Sequence, residues 1–344
     1  MDFKTQIIDW YTVHKRDLPW RKTKDPYQIW LSEIIFQQTR IEQGLAYFLK
    51  FIDHYPTIFD LAKASEDEVL KDWQGLGYYS RARNLHFTAK QIVSEFDGVF
   101  PKHFEDILKL KGVGEYTASA IASFCFDQPH AVVDGNVYRV LSRVFGIGTP
   151  IDSTVGKKEF KLLANELLSK EDPATYNQSI MEFGALQCKP VSPDCAVCPL
   201  NESCVALASN KIKELPFKEK KTKQRKRFFE YFIISDEDEV VVNHRTGKDI
   251  WQHLYDFPLI ENKKHESSAL VLEQLKSKLD VTFTVESESV AVKHILSHQI
   301  LTVRFWQIKA PHSFALNENE KVIKLANIQE LAFPKVVENY LDLL

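Results

Sequence analysis

The spacing of apolar and polar positions divides the chain into two parts. In the first two thirds, apolar residues recur at helical spacing, as in TASAIASF, VYRVLSRVF, KEFKLLANELL and YNQSIMEFGAL. After a basic run the pattern changes, and RFFEYFIIS, EVVVNH, VTFTVESESVAV and ILTVRFWQI are rich in the β-branched and aromatic residues of strands. One helical segment, SSALVLEQLKSKL, interrupts them. We therefore predict a multi-domain protein, with an all-α domain followed by an α+β domain.

Capping signals place two helices in the first part. Asp25 followed by Pro26 is an N-cap with proline at the first helical position, and it begins the helix that contains IWLSEIIFQQTR. Ser65, with Glu68 three residues later, forms a capping box before VLKDW. Within the first of these helices Glu33 is surrounded by apolar residues, which is an unusual setting for a carboxylate.

Length and composition agree with two domains in one globular chain. The 344 residues exceed an ordinary single core, and 44% of them are hydrophobic while 26% are charged. No apolar run reaches the roughly 20 residues of a membrane span. The first residues, MDFKTQIIDWYTVHKR, lack the apolar core of a signal peptide, so we expect an intracellular protein, cytoplasmic and nucleoid-associated in a bacterium.

A basic run separates the two predicted domains. Residues 218 to 227 contain seven lysines or arginines, although the net charge of the chain is -3. We interpret the run as a solvated linker in preference to a phosphate-binding strip. The predicted divisions are a helical domain over 1–215, a linker over 216–227 and a second domain over 228–344.

The five cysteines form one group of four and one isolated residue. Cys188, Cys195, Cys198 and Cys204 follow the spacing C-x6-C-x2-C-x5-C, which predicts a metal site in a reducing compartment. Zinc is the general alternative for four cysteines. Structural zinc sites usually pair two C-x2-C turns, and this loop has one, so an iron-sulfur cluster is favoured. Cys125, in the apolar run ASFCF, is interpreted as a buried structural thiol.

Two further patterns carry candidate chemistry. In ILKLKGVGEYTASAIASF, Gly112 and Gly114 lie between two predicted helices over about 104–126, where backbone N-H groups can approach an anion such as a DNA phosphate. In AVVDGNVYRVLSRVF, Asp134 precedes a helix that it caps. Because a helix N-terminus favours negative charge, we predict that this carboxylate stays ionised.

These motifs together resemble the helix-hairpin-helix DNA glycosylases. LKGVGEYTA, VDGNV, the cysteine loop and LPWR...DPYQIWLSEIIFQQTR stand in the order typical of that superfamily, and the chain most closely resembles its adenine-specific branch, the MutY family. The resemblance covers roughly residues 5 to 215 and continues more weakly beyond. It implies one [4Fe-4S] cluster on the four cysteines. It also implies a monomer that acts on double-stranded DNA carrying adenine mispaired with 8-oxoguanine or guanine.

The resemblance also assigns roles to the candidate site residues. Glu33, with a pKa raised by its apolar neighbours, would protonate adenine, while ionised Asp134 would face the positively charged sugar. Tyr116 and Asn136 would orient these two carboxylates. Tyr116 stands where the endonuclease III branch has a catalytic lysine, so the chain is expected to release adenine without cleaving the strand. An endonuclease III-like pyrimidine glycosylase and lyase, and a non-catalytic iron-sulfur DNA-binding module, are the alternatives.

Other positions match DNA-contacting residues of the family. The adenine must leave the duplex before it can react. Tyr78 would intercalate, Gln38 would contact the bases around the lesion, and Gln37, one position earlier on the same helix, would support the wall. Arg81 would contact the DNA backbone, whereas Arg83 is interpreted as a solvated arginine. Carbonyls around Leu108, Leu110 and Val113 would hold a monovalent cation or calcium.

The second domain resembles Nudix hydrolases in fold. It lacks the glutamate-dense R-E-x-x-E-E box that holds magnesium in those enzymes, so we expect recognition and not hydrolysis. Ser297 and His298 match the serine-histidine pair with which the family reads 8-oxoguanine. Leu296 stands where the family usually has phenylalanine.

Overall fold

The computed structural model describes residues 2–219, 224–311 and 313–343. By their contacts, these residues divide into two compact units: one lies within Met1–Lys63 and Asn84–Lys221, and the other within Ala64–Arg83 and Thr222–Leu344. Four residues of the predicted linker, 220–223, lie outside the described residues. No helix in the described ranges combines the length and apolar character that crossing a bilayer requires.

The first unit is helical. Its elements, with α6 beginning in the second unit, are α1 (Phe3–His14), α2 (Pro26–Ile35), α3 (Ile41–His54), α4 (Ile58–Lys63), α6 (Ser80–Phe96), α7 (Phe104–Ile107), α8 (Glu115–Phe126), α9 (Gly135–Phe145), α10 (Thr154–Leu167), α11 (Pro173–Leu186) and α12 (Val205–Ala208). Short 3-10 helices lie at Pro19–Arg21 and Asn201–Ser203. The all-α prediction for this part of the chain is confirmed.

Local capping fixes where several of these helices begin. The Asp25 side chain accepts a hydrogen bond from the Tyr27 N-H, and Asp134 accepts from the N-H groups of Asn136 and Val137 at the start of α9. α9 buries one face in a core shared with α1, α10 and α11, which contains Trp10, Phe160 and Phe183 among others. This packing fixes the orientation of the Asp134 end of α9.

The second unit is built on a mixed sheet. Its elements are α5 (Glu66–Trp73), β1 (Arg225–Asp236), β2 (Glu239–His244), β3 (Tyr255–Asp256), β4 (Leu259–Asn262), α13 (Ser268–Leu279), β5 (Thr284–Glu288), β6 (Val292–Ile295), β7 (Gln299–Lys309), β8 (Glu320–Lys324), a 3-10 helix (Leu325–Glu330) and α14 (Lys335–Leu341). The described strands follow the order β3-β2-β1-β7-β5, with β4 on β1, β6 on β7 and β8 on β2. β1 and β7 are parallel, from Arg225 opposite Gln299 to Ser235 opposite Lys309.

Alternation along the central strands produces two cores. On β1, Phe229 and Tyr231 face the core that α14 covers, while Phe232 and Ile234 face the core that α13 covers. A sheet covered by helices on both faces is the Nudix-like architecture expected from the sequence, and the α+β prediction is confirmed.

Some boundaries differ from the predictions. The first helix of the hairpin, α7, ends at Ile107, and turns occupy the residues up to Gly112. β1 begins at Arg225, inside the predicted linker, and Arg227 within this strand is buried in ion pairs with Asp249 and Glu261. The solvated-linker interpretation is therefore wrong for Arg227.

Candidate active site and DNA interface

A cavity of about 550 Å³ in the helical unit brings together residues from three separate parts of the sequence. α2 and the turn after it, the hairpin before α8, and the Pro19–Arg21 turn all line it. Its walls contain Leu18, Trp20, Arg21, Ser32, Glu33, Phe36, Gln37, Gln38, Ile41, Gly112, Gly114, Tyr116 and Thr117. Five predicted site residues, Glu33, Gln38, Gly112, Gly114 and Tyr116, are among them. A cavity of this size lies within the range of small-molecule binding sites.

Glu33 lies on α2, half-buried in the cavity wall between the buried residues Ser32 and Ile34. Burial raises the pKa of Glu33 from 4.5 to about 7. A hydrogen bond with Tyr116 and the charge of Arg21 oppose this rise in pKa, whereas the nearby Asp134 carboxylate adds to it. The direction is the one that the apolar sequence around Glu33 predicts. Near neutral pH this carboxyl group can hold a proton and give it up.

Asp134 is the N-cap of α9, and both of its carboxylate oxygens accept hydrogen bonds. Its Oδ1 accepts from the N-H groups of Asn136 at 2.9 Å and Val137 at 2.7 Å, and its Oδ2 accepts from Asn136 Nδ2 at 2.7 Å. Arg139 Nη2 donates in turn to Asn136 Oδ1 at 2.8 Å. Asn136 therefore orients Asp134 and is itself fixed by Arg139.

The pKa of Asp134 is shifted by burial as well as by the helix N-terminus. Burial raises the pKa of Asp134 above its ordinary value of 3.8, although the hydrogen bonds from Val137 and Asn136 and the charge of Arg139 all act to lower it. Desolvation outweighs the helix N-terminus because the carboxyl group is almost surrounded by protein. The sequence shows the cap but not the burial, and the ionised state of Asp134 stays a prediction.

Tyr116 joins the two carboxylates electrostatically. Its hydroxyl hydrogen-bonds with Glu33, and burial together with the charges of Glu33 and Asp134 raises the pKa of Tyr116 well above 10. The phenol consequently stays neutral. Its hydroxyl also lies 3.5 Å from the Met181 sulfur. A neutral hydroxyl in this position can orient Glu33 without competing for its proton.

Two residues that line this cavity, Trp20 and Arg21, were not among the site residues predicted from the sequence. Trp20 lines the cavity and packs against Phe36, with ring centroids 4.4 Å apart. Arg21 lines the same cavity and donates through Nη2 to Glu182 Oε2 at 2.8 Å, while Arg16 Nη2 donates to the same oxygen at 2.6 Å. The motif LPWR was noted, but the partner of Arg21 is 161 residues away, and no local signal identifies it.

Burial alone would raise the pKa of Glu182, but hydrogen bonds from Arg16 and Arg21 lower it to about 2. The side chain of Glu182 is only 1% exposed. A permanently charged carboxylate thus fixes the Arg21 guanidinium at the cavity wall.

Gln37 and Gln38 are not on the helix where the sequence analysis placed them. α2 ends at Ile35, and Gln38 has a left-handed backbone with φ of 57°. Gln37 Nε2 reaches Thr117 Oγ1 on α8 at 3.3 Å, so its predicted supporting position at the wall agrees with the structure. Gln38 is exposed at the cavity rim.

The hairpin turn is tightly packed on one side and open on the other. Gly112 has φ of +77°, and a Cβ added there would lie 2.7 Å from the Asn84 Cβ on α6. Gly114 is the N-cap of α8 and faces open space. Among the carbonyls proposed to hold a cation, that of Leu110 accepts from the Val113 N-H at 3.1 Å, and Leu108 is 40% exposed.

The four clustered cysteines line one small cavity beside α9. Arg143 Nη1 lies 3.5 Å from Cys188 Sγ and 2.7 Å from the Lys189 carbonyl, and Arg139 Nε donates to the Cys188 carbonyl at 2.7 Å. In the described part of the chain, no group of three or more His, Cys, Asp and Glu side chains is arranged to hold a metal ion. All five cysteines are free thiols, and burial raises the pKa of Cys125, as expected for a structural thiol.

The predicted lesion-reading residues lie in the second unit. Leu296, Ser297 and His298 form the turn between β6 and β7, closed by a hydrogen bond of 2.8 Å from the Leu296 N-H to the Gln299 carbonyl. The Ser297 hydroxyl hydrogen-bonds with the Tyr78 hydroxyl. Tyr78 is 44% exposed and has a left-handed backbone with φ of 47°. We call this turn, residues 296–298, the reading turn.

Arg81 is not positioned to contact DNA. It is buried, its guanidinium lies 5.0 Å from the Trp73 ring centroid and 5.8 Å from that of Tyr78, and Nη2 donates to the Leu76 and Gly77 carbonyls. The predicted backbone contact is therefore wrong, because this side chain supports the loop that presents Tyr78. Burial also lowers the pKa of Arg81 to about 10.

The chain matches two family models. Residues 31–165 match the HhH-GPD superfamily of base excision DNA repair proteins, and residues 230–343 match the NUDIX domain. A curated adenine DNA glycosylase from Buchnera aphidicola subsp. Acyrthosiphon pisum is 33% identical, with 99% of this chain and 97% of that protein covered. The Homo sapiens adenine DNA glycosylase is 42% identical over 59% of this chain and 39% of that protein.

Solved structures resemble the helical part. A thermostable thymine-DNA glycosylase aligns with a TM-score of 0.56 and 31% identity, covering 60% of this chain and 95% of that one. A non-covalent endonuclease III-DNA complex aligns with a TM-score of 0.51 and 24% identity, covering 61% of this chain and 99% of that one. At that identity the second likeness shows the fold alone.

Proposed function

The chain belongs to the adenine DNA glycosylases of the HhH-GPD base excision repair superfamily, and on that premise we propose that it hydrolyses the N-glycosidic bond of adenine mispaired with 8-oxoguanine or guanine. The products are free adenine and an abasic site in an uncleaved strand. The observation that carries the proposal is a pair of carboxyl groups, Glu33 and Asp134, placed in different environments and linked through Tyr116.

The two carboxyl groups divide the reaction between them. Adenine is a poor leaving group, so protonation of a ring nitrogen by the Glu33 carboxyl is needed while the C-N bond breaks and its electron pair stays with the base. The sugar then carries positive charge, which the Asp134 carboxylate stabilises. Water adds to the sugar carbon, and the proton that it loses restores the protonated form of Glu33, which completes the hydrolysis. Asn136 keeps the Asp134 oxygens in place through its 2.7 Å hydrogen bond.

The adenine would be bound by the walls of the 550 Å³ cavity. Trp20 offers a flat apolar surface, and the Arg21 guanidinium, fixed by Glu182, offers donors to ring nitrogens that carry lone pairs. Arg21 also stabilises the ionised form of Glu33, which receives the negative charge after proton transfer. These residues hold the base and place it against its acid.

Access to the cavity requires extrusion of the adenine from the duplex, at a cost of a few kcal/mol. Tyr78, exposed on a loop supported by Arg81, would fill the gap, and Gln38 at the cavity rim would contact the remaining bases. The N-H groups around Gly112 and Gly114 would bind a DNA phosphate. Carbonyls of Leu108, Leu110 and Val113 would hold a monovalent cation or calcium against that phosphate.

The cysteine loop would hold one [4Fe-4S] cluster. The donor set fits this group because the four cysteines line one cavity and two arginines of α9 contact the loop, where their charge would offset that of thiolates. A cluster is larger than a single ion, so its ligands lie further apart than those of zinc. When bound, it would fix the loop after α11 in place.

The second unit would supply recognition of 8-oxoguanine through Ser297, His298 and Leu296 on the reading turn. The absence of a glutamate-dense box from the sequence argues against nucleotide hydrolysis by this Nudix-like fold. We propose that the chain acts on its mispair as a monomer.

A single-turnover assay with a panel of duplexes tests this function. The duplexes carry adenine opposite 8-oxoguanine, adenine opposite guanine, adenine opposite thymine, or an oxidised pyrimidine opposite guanine. We expect adenine release from the first two, fastest opposite 8-oxoguanine, and strand cleavage only after alkali. Strand cleavage without alkali at the oxidised pyrimidine would identify an endonuclease III-like lyase. Binding without release from any duplex would identify a non-catalytic module.

A further inference from the structure

The segment that presents Tyr78 packs with the Nudix-like sheet. Ala64–Arg83 groups by its contacts with the second unit, although Arg83 lies 142 positions before Arg225, the first residue of β1. Lys71 Nζ donates to the Leu331 carbonyl at 3.0 Å, and the Phe333 N-H donates to Gln74 Oε1 at 3.2 Å. These contacts fix α5 at one end of the segment.

At the other end, Arg83 holds the loop between β2 and β3. Its Nη1 donates to the Gln252 carbonyl at 2.6 Å, and its Nη2 lies 3.3 Å from Gln252 Oε1. Burial lowers the pKa of Arg83. The expectation that Arg83 is a solvated helix arginine is therefore wrong, because both of these guanidinium nitrogens are engaged by a single residue of the sheet.

The loop that Arg83 contacts has an unusual backbone. Gln252 lies between Trp251, with φ of 60°, and His253, with φ of 67°, and neither residue is glycine. Left-handed backbone at bulky residues persists only where surrounding contacts impose it, and it concentrates at functional sites. His253 also pairs with Glu66 on α5, so the loop is held to the Tyr78 segment at two points.

Trp251 carries this connection to the reading turn. Its ring centroid lies 5.9 Å from that of His294 on β6, the strand that leads into the reading turn, and the Arg245 guanidinium also lies 5.9 Å from it. Trp251, Arg83, Tyr78 and the reading turn line one cavity of about 340 Å³. The Tyr78 and Ser297 hydroxyls, which hydrogen-bond with each other, belong to the lining of this same cavity.

We propose that Arg83 is a positioning residue that, through Gln252 and Trp251, sets Tyr78 against the reading turn and so couples recognition of 8-oxoguanine to extrusion of the opposite adenine. This inference rests on the proposed function. Arg83 itself does not touch the reacting atoms. Its loss should therefore reduce the preference for 8-oxoguanine over guanine, whereas a purely structural role would slow excision from both duplexes by the same factor.

The test compares Arg83→Met with wild type on adenine opposite 8-oxoguanine and opposite guanine, under single-turnover conditions. We expect the ratio of the two rate constants to fall at least fivefold, because the 8-oxoguanine duplex loses more. Arg83→Lys keeps a positive charge and a hydrogen-bond donor, and should give an intermediate ratio. This conservative variant controls for misfolding of Arg83→Met. Gln252→Ala keeps the carbonyl that accepts the 2.6 Å bond and should change the ratio least. Arg225→Met, at an arginine whose side chain is 71% exposed in the same unit, is the matched control.

A wild-type ratio in both Arg83 variants would overturn the inference, and so would equal losses on the two duplexes. A wild-type chain that excises adenine no faster opposite 8-oxoguanine than opposite guanine would instead overturn the proposed reading function, and the inference with it.

Discussion

Replacement of Glu33 by glutamine removes the proton donor while keeping the size of the side chain and one hydrogen-bonding oxygen for Tyr116. With a pKa of about 7, Glu33 is protonated in about half of the molecules at pH 7. An exposed glutamate with the ordinary pKa of 4.5 would be protonated in only about 0.3% of them. Burial therefore increases the population of the competent acid by about a hundredfold or more.

The loss in rate should be larger than this population factor, because glutamine cannot donate the proton at all. General acid catalysis typically contributes about 10²- to 10⁴-fold, so we expect Glu33→Gln to lower the single-turnover rate of adenine release by about three orders of magnitude. The variant should still bind the mispaired duplex. Glu115→Gln, at a neighbouring glutamate whose side chain is 64% exposed, is the control and should excise normally. Excision by Glu33→Gln within tenfold of wild type would refute the general-acid role.

The same substitution should affect stability with a defined pH dependence. The folded pKa of Glu33 is raised, so between pH 4.5 and about 7 the folded state binds more protons than the unfolded state. Wild-type stability is therefore lost as pH rises through that interval, by up to about 3 kcal/mol. Glu33→Gln should match wild type in urea unfolding near pH 4.5 and exceed it near pH 8. Equal unfolding free energies at both pH values would contradict the raised pKa.

Three further changes test other parts of the site. Glu182→Gln should destabilise the fold by about 3–5 kcal/mol, because it leaves two arginines without their buried partner. Since the pKa of Glu182 is lowered to about 2, the stabilisation is present above pH 4.5 and is lost as pH falls towards 2; acid unfolding that is unchanged in the variant would contradict this assignment. Cys188→Ser should lose iron and the broad visible absorption of a cluster, whereas Cys125→Ser should retain both; a colourless wild-type protein containing zinc would exclude the cluster. Leu296→Phe should increase the preference for 8-oxoguanine over guanine in the excision assay, since the phenylalanine ring is larger than the leucine side chain and fills more space beside the reading turn. An unchanged or lower preference would show that Leu296 does not limit discrimination.

The features that the sequence predicted correctly depend on neighbours in the chain. The Asp25 cap, the Ser65 and Glu68 capping box and the Asp134 cap involve residues within three positions of one another, and all three are present. The apolar neighbours of Glu33 were likewise sufficient to predict the direction of its pKa shift.

The features that the sequence did not predict depend on distant residues or on burial. From the sequence, Arg81 was predicted to contact DNA and Arg83 to be solvated. Both donate to backbone carbonyls, and no pattern of side chains in the sequence indicates such partners. No local sequence pattern predicts that Glu182 contacts the arginine of the LPWR motif. The direction of the pKa shift of Asp134 depends on burial, which outweighs the four interactions that lower this pKa.

The central claim is that the proton on Glu33 is used in breaking the bond to adenine, and the pH dependence of the single-turnover rate tests it most directly. For adenine opposite 8-oxoguanine, measured from about pH 6 to about pH 9, the wild-type rate constant should fall tenfold per pH unit above an apparent pKa near 7. Glu33→Gln should be slow and lack this titration. A wild-type rate that stays level across the range, or a variant that retains the same profile, would contradict the account.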